Sequence, residues 1–305
     1  MASWFGTLLV AGGISVVILF MRRYFRRKKR LFISSRLMTG KTVIVTGANC
    51  GIGKATAQEL ARRGAKVIMA CRDVDKANQA VKDIRKVTTE GILEVKKVDL
   101  LSQDSVRKFC EEIVAEEKAI HVLINNAAIM RPFMLTEDGH EVHMVVNHFS
   151  NFLLTNKIVF VSSSLHKYAK LNLENLKEKS SKPYANSKLA NIYFAKELTE
   201  RLRGTNVGVH TLHPGMVNTD LPRYLFPKII LLLLAPFMRM FLQSPLEGCQ
   251  TVLYCAVSEE LDGVSGKYYG YCKEEPWHEV TLNEDLGTKL WQISEEVTGL
   301  NRKSF

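Results

Sequence analysis

Lys41-Thr42-Val43-Ile44-Val45-Thr46 is a β-branched run that reads as a buried strand. It passes directly into Thr46-Gly47-Ala48-Asn49-Cys50-Gly51-Ile52-Gly53, and an amphipathic stretch then runs to about Gly64. Few folds accept a strand, a glycine-rich turn and a helix in that order. Glycines let the backbone come close to a pyrophosphate, and the start of the helix offers it free N–H groups. The competing reading is a tight turn that merely needs positive φ. The flanking strand and helix favour the phosphate cradle, built from Gly47, Asn49, Cys50, Gly51, Ile52 and Gly53.

Further along, apolar strands near Val67, Leu93, Val122, Ile158 and Val207 alternate with helical segments after Val74, Ser102, Thr136 and Lys182. That alternation predicts a single Rossmann-type doubly wound α/β domain over 41–305, with a parallel sheet and helices on both faces. The second strand, Lys66–Cys71, ends in Arg72, with Lys54 just past the glycine turn. An NAD site normally has a carboxylate there for the ribose 2′-hydroxyl. Two cations suit a 2′-phosphate, so NADP(H) is the expected cofactor. The alternative is that Asp73 pairs with Arg72.

Two more strands end in chemistry. Leu123-Ile124-Asn125-Asn126-Ala127-Ala128 carries amides at its carboxyl end, where open α/β sheets bind ligands, and Val159-Phe160-Val161-Ser162-Ser163-Ser164 ends in hydroxyls. Turn and cap chemistry is the plain reading of each. Tyr184-Ala185-Asn186-Ser187-Lys188 then sets a phenol and an ammonium four apart, on one helix face. A phenol of pKa about 10 becomes useful near neutrality only when a nearby cation lowers it, and Lys188 is placed to do so.

With these pieces in order, the chain resembles the classical short-chain dehydrogenases/reductases, and within them the microsomal retinol dehydrogenase group. The resemblance spans about 41–300 and rests on Thr46-Gly47-x3-Gly51-x-Gly53, Asn125-Asn126-Ala127, Ser163, Tyr184-x3-Lys188 and His213-Pro214-Gly215. It implies Tyr184 as general acid or base and Ser163 as the group that binds and polarises the substrate carbonyl. Lys188 would tune Tyr184 and hold the nicotinamide ribose, and Asn147 would position a relay water. The resemblance also places Asp99 and Leu100 at the adenine, Asn125 and Ala127 along the cofactor, and Pro214, Gly215, Val217 and Thr219 near the nicotinamide. The implied reaction interconverts a retinoid-like or other apolar alcohol and its aldehyde, and a homodimer is a candidate assembly. An NAD-linked sterol dehydrogenase is a lesser alternative.

Two departures stand out. Ala128 replaces the glycine that usually closes the asparagine motif. The path from Asn147 to Ser163 is also about a dozen residues shorter than in relatives, the shortfall falling at Asn156-Lys157, and a shorter gap precedes Lys182. The helix is therefore expected to end early or unwind, and the next strand to be drawn out of register. From this comes the alternative function: a relative that binds nucleotide without aligning a catalytic site.

The amino terminus is a separate unit. Trp4–Met21 is apolar or small throughout, and at ~1.5 Å per residue its 18 residues cover about 27 Å, enough to cross a hydrocarbon core. Seven of the nine residues Arg22–Arg30 are Arg or Lys. A basic run after the apolar stretch is the reverse of a cleaved signal. The reading is therefore a single-pass anchor over 1–21, a basic linker over 22–40 and a catalytic domain on the cytosolic side of the endoplasmic reticulum. A mitochondrial membrane is the alternative, since no acidic residue precedes Glu59. The basic run accounts for most of the net charge of +11. Beside a span it serves topology and anionic headgroups, and no basic–aromatic or zinc-finger spacing points to nucleic acid. The six cysteines show no paired spacing and read as reduced thiols, with no metal site. A second apolar run, Ile229–Leu242, follows Thr219 and is expected either to sit under the substrate or to touch the membrane as lipid enters.

Overall fold

The computed structural model describes residues 30–152, 158–176, 179–225, 227, 229–230 and 242–300. The first half alternates strand and helix: β1 (Thr42–Thr46), α1 (Gly51–Arg62), β2 (Lys66–Cys71), α2 (Val74–Arg85), β3 (Ile92–Lys97), α3 (Gln103–Glu116) and β4 (Val122–Asn125). A buried helical segment follows in three pieces, α4 (Val142–Met144), a π-helical turn (Val145–Phe149) and α5 (Ser150–Phe152). Then come β5 (Ile158–Val161), α6 (Pro183–Arg201), β6 (Val209–His213), α7 (Pro245–Val257), β7 (Lys267–Gly270), β8 (Lys273–Glu275) and α8 (Glu284–Thr298).

The eight strands lie in the order β3-β2-β1-β4-β5-β6-β7-β8, parallel except for the β7–β8 hairpin. The central strands β1, β4 and β5 are buried along their whole length, as a sheet covered on both faces requires. Leu60 of α1, Ile84 of α2 and Val252 of α7 share one apolar layer. On the opposite face Phe109 of α3 belongs to one cluster, and Tyr193 of α6 and Leu290 of α8 share another. The doubly wound fold is as the sequence predicts. Chain order reverses between β1 and β4, and such a switch point opens a crevice at the carboxyl ends of the strands.

The shortened passage behaves differently from expectation. The helical residues described end at Phe152, and 153–157 lie outside the described residues. Yet β5 is not drawn out of register. Ile158 pairs with Leu123 of β4 on one side and Val209 of β6 on the other, continuing both ladders. Phe152, Phe160, Phe194 and Trp291 interlock behind it, with ring centroids 4.8 to 5.5 Å apart. This apolar contact holds the strand in place.

The predicted span at 1–21 lies outside the described residues, as does most of the apolar run after Ile230. Among the described residues no helix is long and apolar enough to cross a membrane. The predicted linker over 22–40 is, from Arg30 onward, a strap laid along α7. The Phe32 N–H donates to Gln250 Oε1 at 3.0 Å, and its ring meets Tyr254 edge-on at 5.6 Å. Arg36 bonds both carboxylate oxygens of Asp262 at 3.0 Å, and Met38 is buried.

Candidate active site

The crevice begins at the turn between β1 and α1. Gly47 has φ +66°, a left-handed conformation open to glycine, and its N–H donates to the Ala70 carbonyl. At Gly53 a Cβ would lie 2.4 Å from the Gly47 carbonyl oxygen, so only glycine lets α1 pack this close to the turn. Cys50 caps α1 without a side-chain hydrogen bond, and the first turn of α1 holds no acidic residue. Its first N–H groups are therefore left for an anion. This cradle fits a dinucleotide pyrophosphate.

The other predicted cofactor residues surround it. Thr219 lies over the turn, its Cγ2 3.3 Å from where a Cβ on Gly51 would stand. Gly215 has φ +84°. Val217 bridges to Gln243 and presses on Gly248 of α7. Asp99 Oδ1 accepts the Leu101 N–H, while the Leu100 carbonyl accepts the Ser150 hydroxyl at 2.6 Å. Asn125 is buried with neither side-chain amide atom hydrogen-bonded. The Ala127 N–H donates to Thr46 Oγ1 at 3.0 Å. Ala128 is not left-handed, so the backbone there does not need the glycine it replaces.

Arg72 is exposed directly after β2. Asp73 does not pair with it, because its carboxylate caps α2 through the Lys76 N–H and salt-bridges Lys76 Nζ at 3.0 Å. Lys54, the other expected cation, faces α2. Its Nζ sits 2.8 Å from Asp83 Oδ2, and those bonds, with Lys86 and Gln79, hold the Asp83 carboxyl down to about 2. Sequence reading could not foresee this, since Lys54 and Asp83 meet only when α1 and α2 pack side by side.

Three of the four expected catalytic residues, Ser163, Tyr184 and Lys188, come together, while Asn147 bonds Ser187 and Ile129. Tyr184 occupies the first turn of α6 and hydrogen-bonds Ser163 at the end of β5. Lys188, one turn on, is 2 % exposed, with Nζ donating to the Val161 carbonyl at 2.8 Å and standing 5.7 Å from the Tyr184 ring centroid. Ser162 Oγ donates to the Lys188 carbonyl, so β5 and α6 grip each other at this point. Asn147, inside the π-helical turn, donates to Ser187 Oγ at 2.9 Å and to the Ile129 carbonyl, and accepts the Ile129 N–H. Its own carbonyl is taken by Asn151 Nδ2 at 2.6 Å.

Electrostatics revises one role. Burial pushes the Tyr184 phenol up to about 12, opposed only in part by the Ser163 hydrogen bond. Burial also pushes the Lys188 ammonium down to about 7, with no carboxylate to hold its charge. The expected lowering of Tyr184 by Lys188 is therefore not met. Desolvation outweighs the ion, and Nζ is directed at a carbonyl. A neutral phenol beside a hydroxyl is a proton donor with a partner to polarise a carbonyl.

Several supporting residues escape a sequence reading. Asn126 donates to the Thr46 carbonyl at 2.8 Å and ties β4 to the glycine turn. Buried Glu141 bonds His143 Nδ1 at 2.6 Å, and His143 Nε2 accepts the Arg131 N–H. The His143 ring meets Tyr184 edge-on at 6.5 Å, so this pair braces the phenol. The Glu-x-His spacing was visible in the sequence, but nothing local linked it to Tyr184.

Comparison with known proteins places the chain in a family. A family profile described as short chain dehydrogenase matches residues 41–229. Retinol dehydrogenase 14 of Mus musculus is 45% identical over 295 residues, covering 87% of each chain. Retinol dehydrogenase 11 of Mus musculus is 41% identical over 296 residues, covering 90% of this chain and 93% of its own. Among solved structures, an uncharacterized protein from Mycobacterium paratuberculosis superposes with TM-score 0.69 at 32% identity, over 89% of this chain and 97% of its own. A short chain dehydrogenase from Shigella flexneri, complexed with NADP, shares the fold with TM-score 0.61 at 20% identity, over 79% and 100%.

Proposed function

The chain belongs to the short-chain dehydrogenase family, and on that footing we propose that it is a membrane-anchored, NADP(H)-dependent oxidoreductase interconverting an apolar alcohol and its aldehyde, with retinol and retinal as the expected pair. The observation that carries the proposal is the meeting of Ser163, Tyr184 and Lys188 beside the glycine cradle. Exposed apolar side chains after β6, Met216, Leu225, Ile229 and Ile230, favour an apolar substrate.

The bound nicotinamide supplies or accepts the hydride. Ser163 Oγ hydrogen-bonds the substrate oxygen and polarises the carbonyl. Tyr184 Oη gives its proton to that oxygen during reduction and takes it back during oxidation. Lys188, one turn along α6, lies behind the phenol and would hold the nicotinamide ribose. General acid catalysis of this kind contributes about 10²–10⁴-fold.

The apolar stretch Trp4–Met21 and the basic run after it support an uncleaved anchor with the catalytic domain on the cytosolic side of the endoplasmic reticulum. The strap of Arg30–Met38 on α7 would then tie the domain closely to that anchor. Protease protection on intact microsomes tests the orientation, and a protected catalytic domain would overturn it. The activity test is detergent-purified full-length chain with NADPH and all-trans-retinal. Retinol formation is expected. No turnover with NADPH binding retained would refute the enzymatic reading and leave a nucleotide-binding relative.

A further inference from the structure

Beyond β6 a 3₁₀ turn, Leu221–Tyr224, brings two side chains back over the nucleotide cradle. The Arg223 guanidinium hydrogen-bonds the Cys50 thiol at the start of α1, and it also hydrogen-bonds the Tyr224 phenol. The same phenol is hydrogen-bonded by Arg72 at the end of β2. A third guanidinium, that of Arg131, stands 5.6 Å from the Tyr224 ring centroid, with that of Arg223 at 4.8 Å. Cations from three separate parts of the chain thus gather round one neutral, half-exposed side chain.

This arrangement is electrostatically incomplete. Guanidinium is always charged, and its forked donors suit carboxylate or phosphate oxygens far better than a phenol. The carboxylates at hand do not complete it. Asp73 is turned to Lys76, and Asp220 acts on Arg223 through space while also bearing on Cys50. The phenolic oxygen marks the point that Arg72 and Arg223 both reach. Arg223 itself reaches the cap of α1, and Arg72 stands at the end of β2.

We propose that Arg223 is a second 2′-phosphate ligand of the nucleotide, acting with Arg72 at the place that the Tyr224 hydroxyl marks. The assignment rests on the NADP(H) reading above and replaces Lys54, which Asp83 holds elsewhere. It also makes the segment leading to the substrate region sensitive to which dinucleotide is bound, because Arg223 and Thr219 both rest on the glycine turn.

The test is titration of the full-length detergent-purified protein with NADPH, NADH and 2′,5′-ADP. Arg223→Ala should lower the NADPH-to-NADH affinity ratio about tenfold or more, with 2′,5′-ADP weakened in parallel, since charge-assisted bonds to a phosphate contribute on that scale. Arg223→Lys should recover part of the ratio. Tyr224→Phe should leave NADPH binding equal or tighter. An unchanged ratio in Arg223→Ala, with a reduced one in Arg72→Ala, overturns the assignment of Arg223 alone. Equal losses for both dinucleotides overturn it too, because the contact would then be to a group they share. A wild-type ratio near one refutes the NADP(H) reading itself, and this inference with it.

Discussion

Replacing Lys188 by Met should make the protein more stable while abolishing turnover. The ammonium of Lys188 is buried without a counter-ion, which moves its pKa from 10.5 to about 7. At about 1.4 kcal/mol per tenfold change, the charged form is disfavoured in the folded protein by about 5 kcal/mol. In the unfolded chain the amine is charged below 10.5. The penalty is therefore full below pH 7 and vanishes as pH rises through 10.5. It amounts to about 4 kcal/mol at pH 7 and about 2 kcal/mol at pH 9. Methionine fills similar space with no charge to desolvate, but it leaves the Val161 carbonyl without its donor, a loss of about 1–2 kcal/mol. The net gain is then about 2–3 kcal/mol at pH 7 and close to zero at pH 9. Urea unfolding of wild type and Lys188→Met at both pH values measures it, as a midpoint displacement of about 1 M at pH 7. A variant less stable than wild type at pH 7, or a difference that does not change with pH, would refute the burial argument.

Other consequences are simpler to read. Gly53→Ala puts a Cβ 2.4 Å from the Gly47 oxygen. It should cost about 1–3 kcal/mol through overpacking and greatly weaken dinucleotide binding, both measurable by thermal melts with and without NADPH. Ser163→Ala removes the hydroxyl that meets both Tyr184 and the substrate oxygen, so kcat should fall about 10²–10³-fold with NADPH affinity retained. Because burial holds the Tyr184 phenol near 12, retinal reduction should show no loss from tyrosine ionisation below about pH 10. Retinol oxidation, which needs the phenolate, should climb with pH through that range. A fall in oxidation above pH 8 would count against Tyr184 as the base. Arg36→Ala breaks an exposed pair with Asp262 and should change stability by less than about 1 kcal/mol, so a large loss by urea unfolding would show that the strap matters more than its surface contacts suggest.

How far the sequence reached depended on the range of the physics. The glycine turn, the strand ends at Asn125 and Ser163, and the Tyr184–Lys188 spacing were legible because each is set by neighbours within a turn or a strand. Alternation of strands and helices was enough to give the doubly wound sheet. The shortened passage after Asn147 was also visible, but its effect was misjudged. A deletion suggests strain, whereas ladder bonds to β4 and β6 and the aromatic cluster behind β5 hold the strand in register.

By itself, then, the sequence determined the fold class, the glycine cradle and the candidate reacting groups. Tertiary structure alone decided their charges and their company. Lys188 carries a depressed pKa because packing of α6 against β5 buries it, a desolvation that no spacing encodes. Lys54 goes to Asp83 because α1 lies beside α2, while Arg223 reaches Cys50 and Tyr224 joins Arg72 across about 150 residues of chain. Local backbone chemistry is written in adjacent residues; burial and long-range ion pairing exist only once the chain has packed.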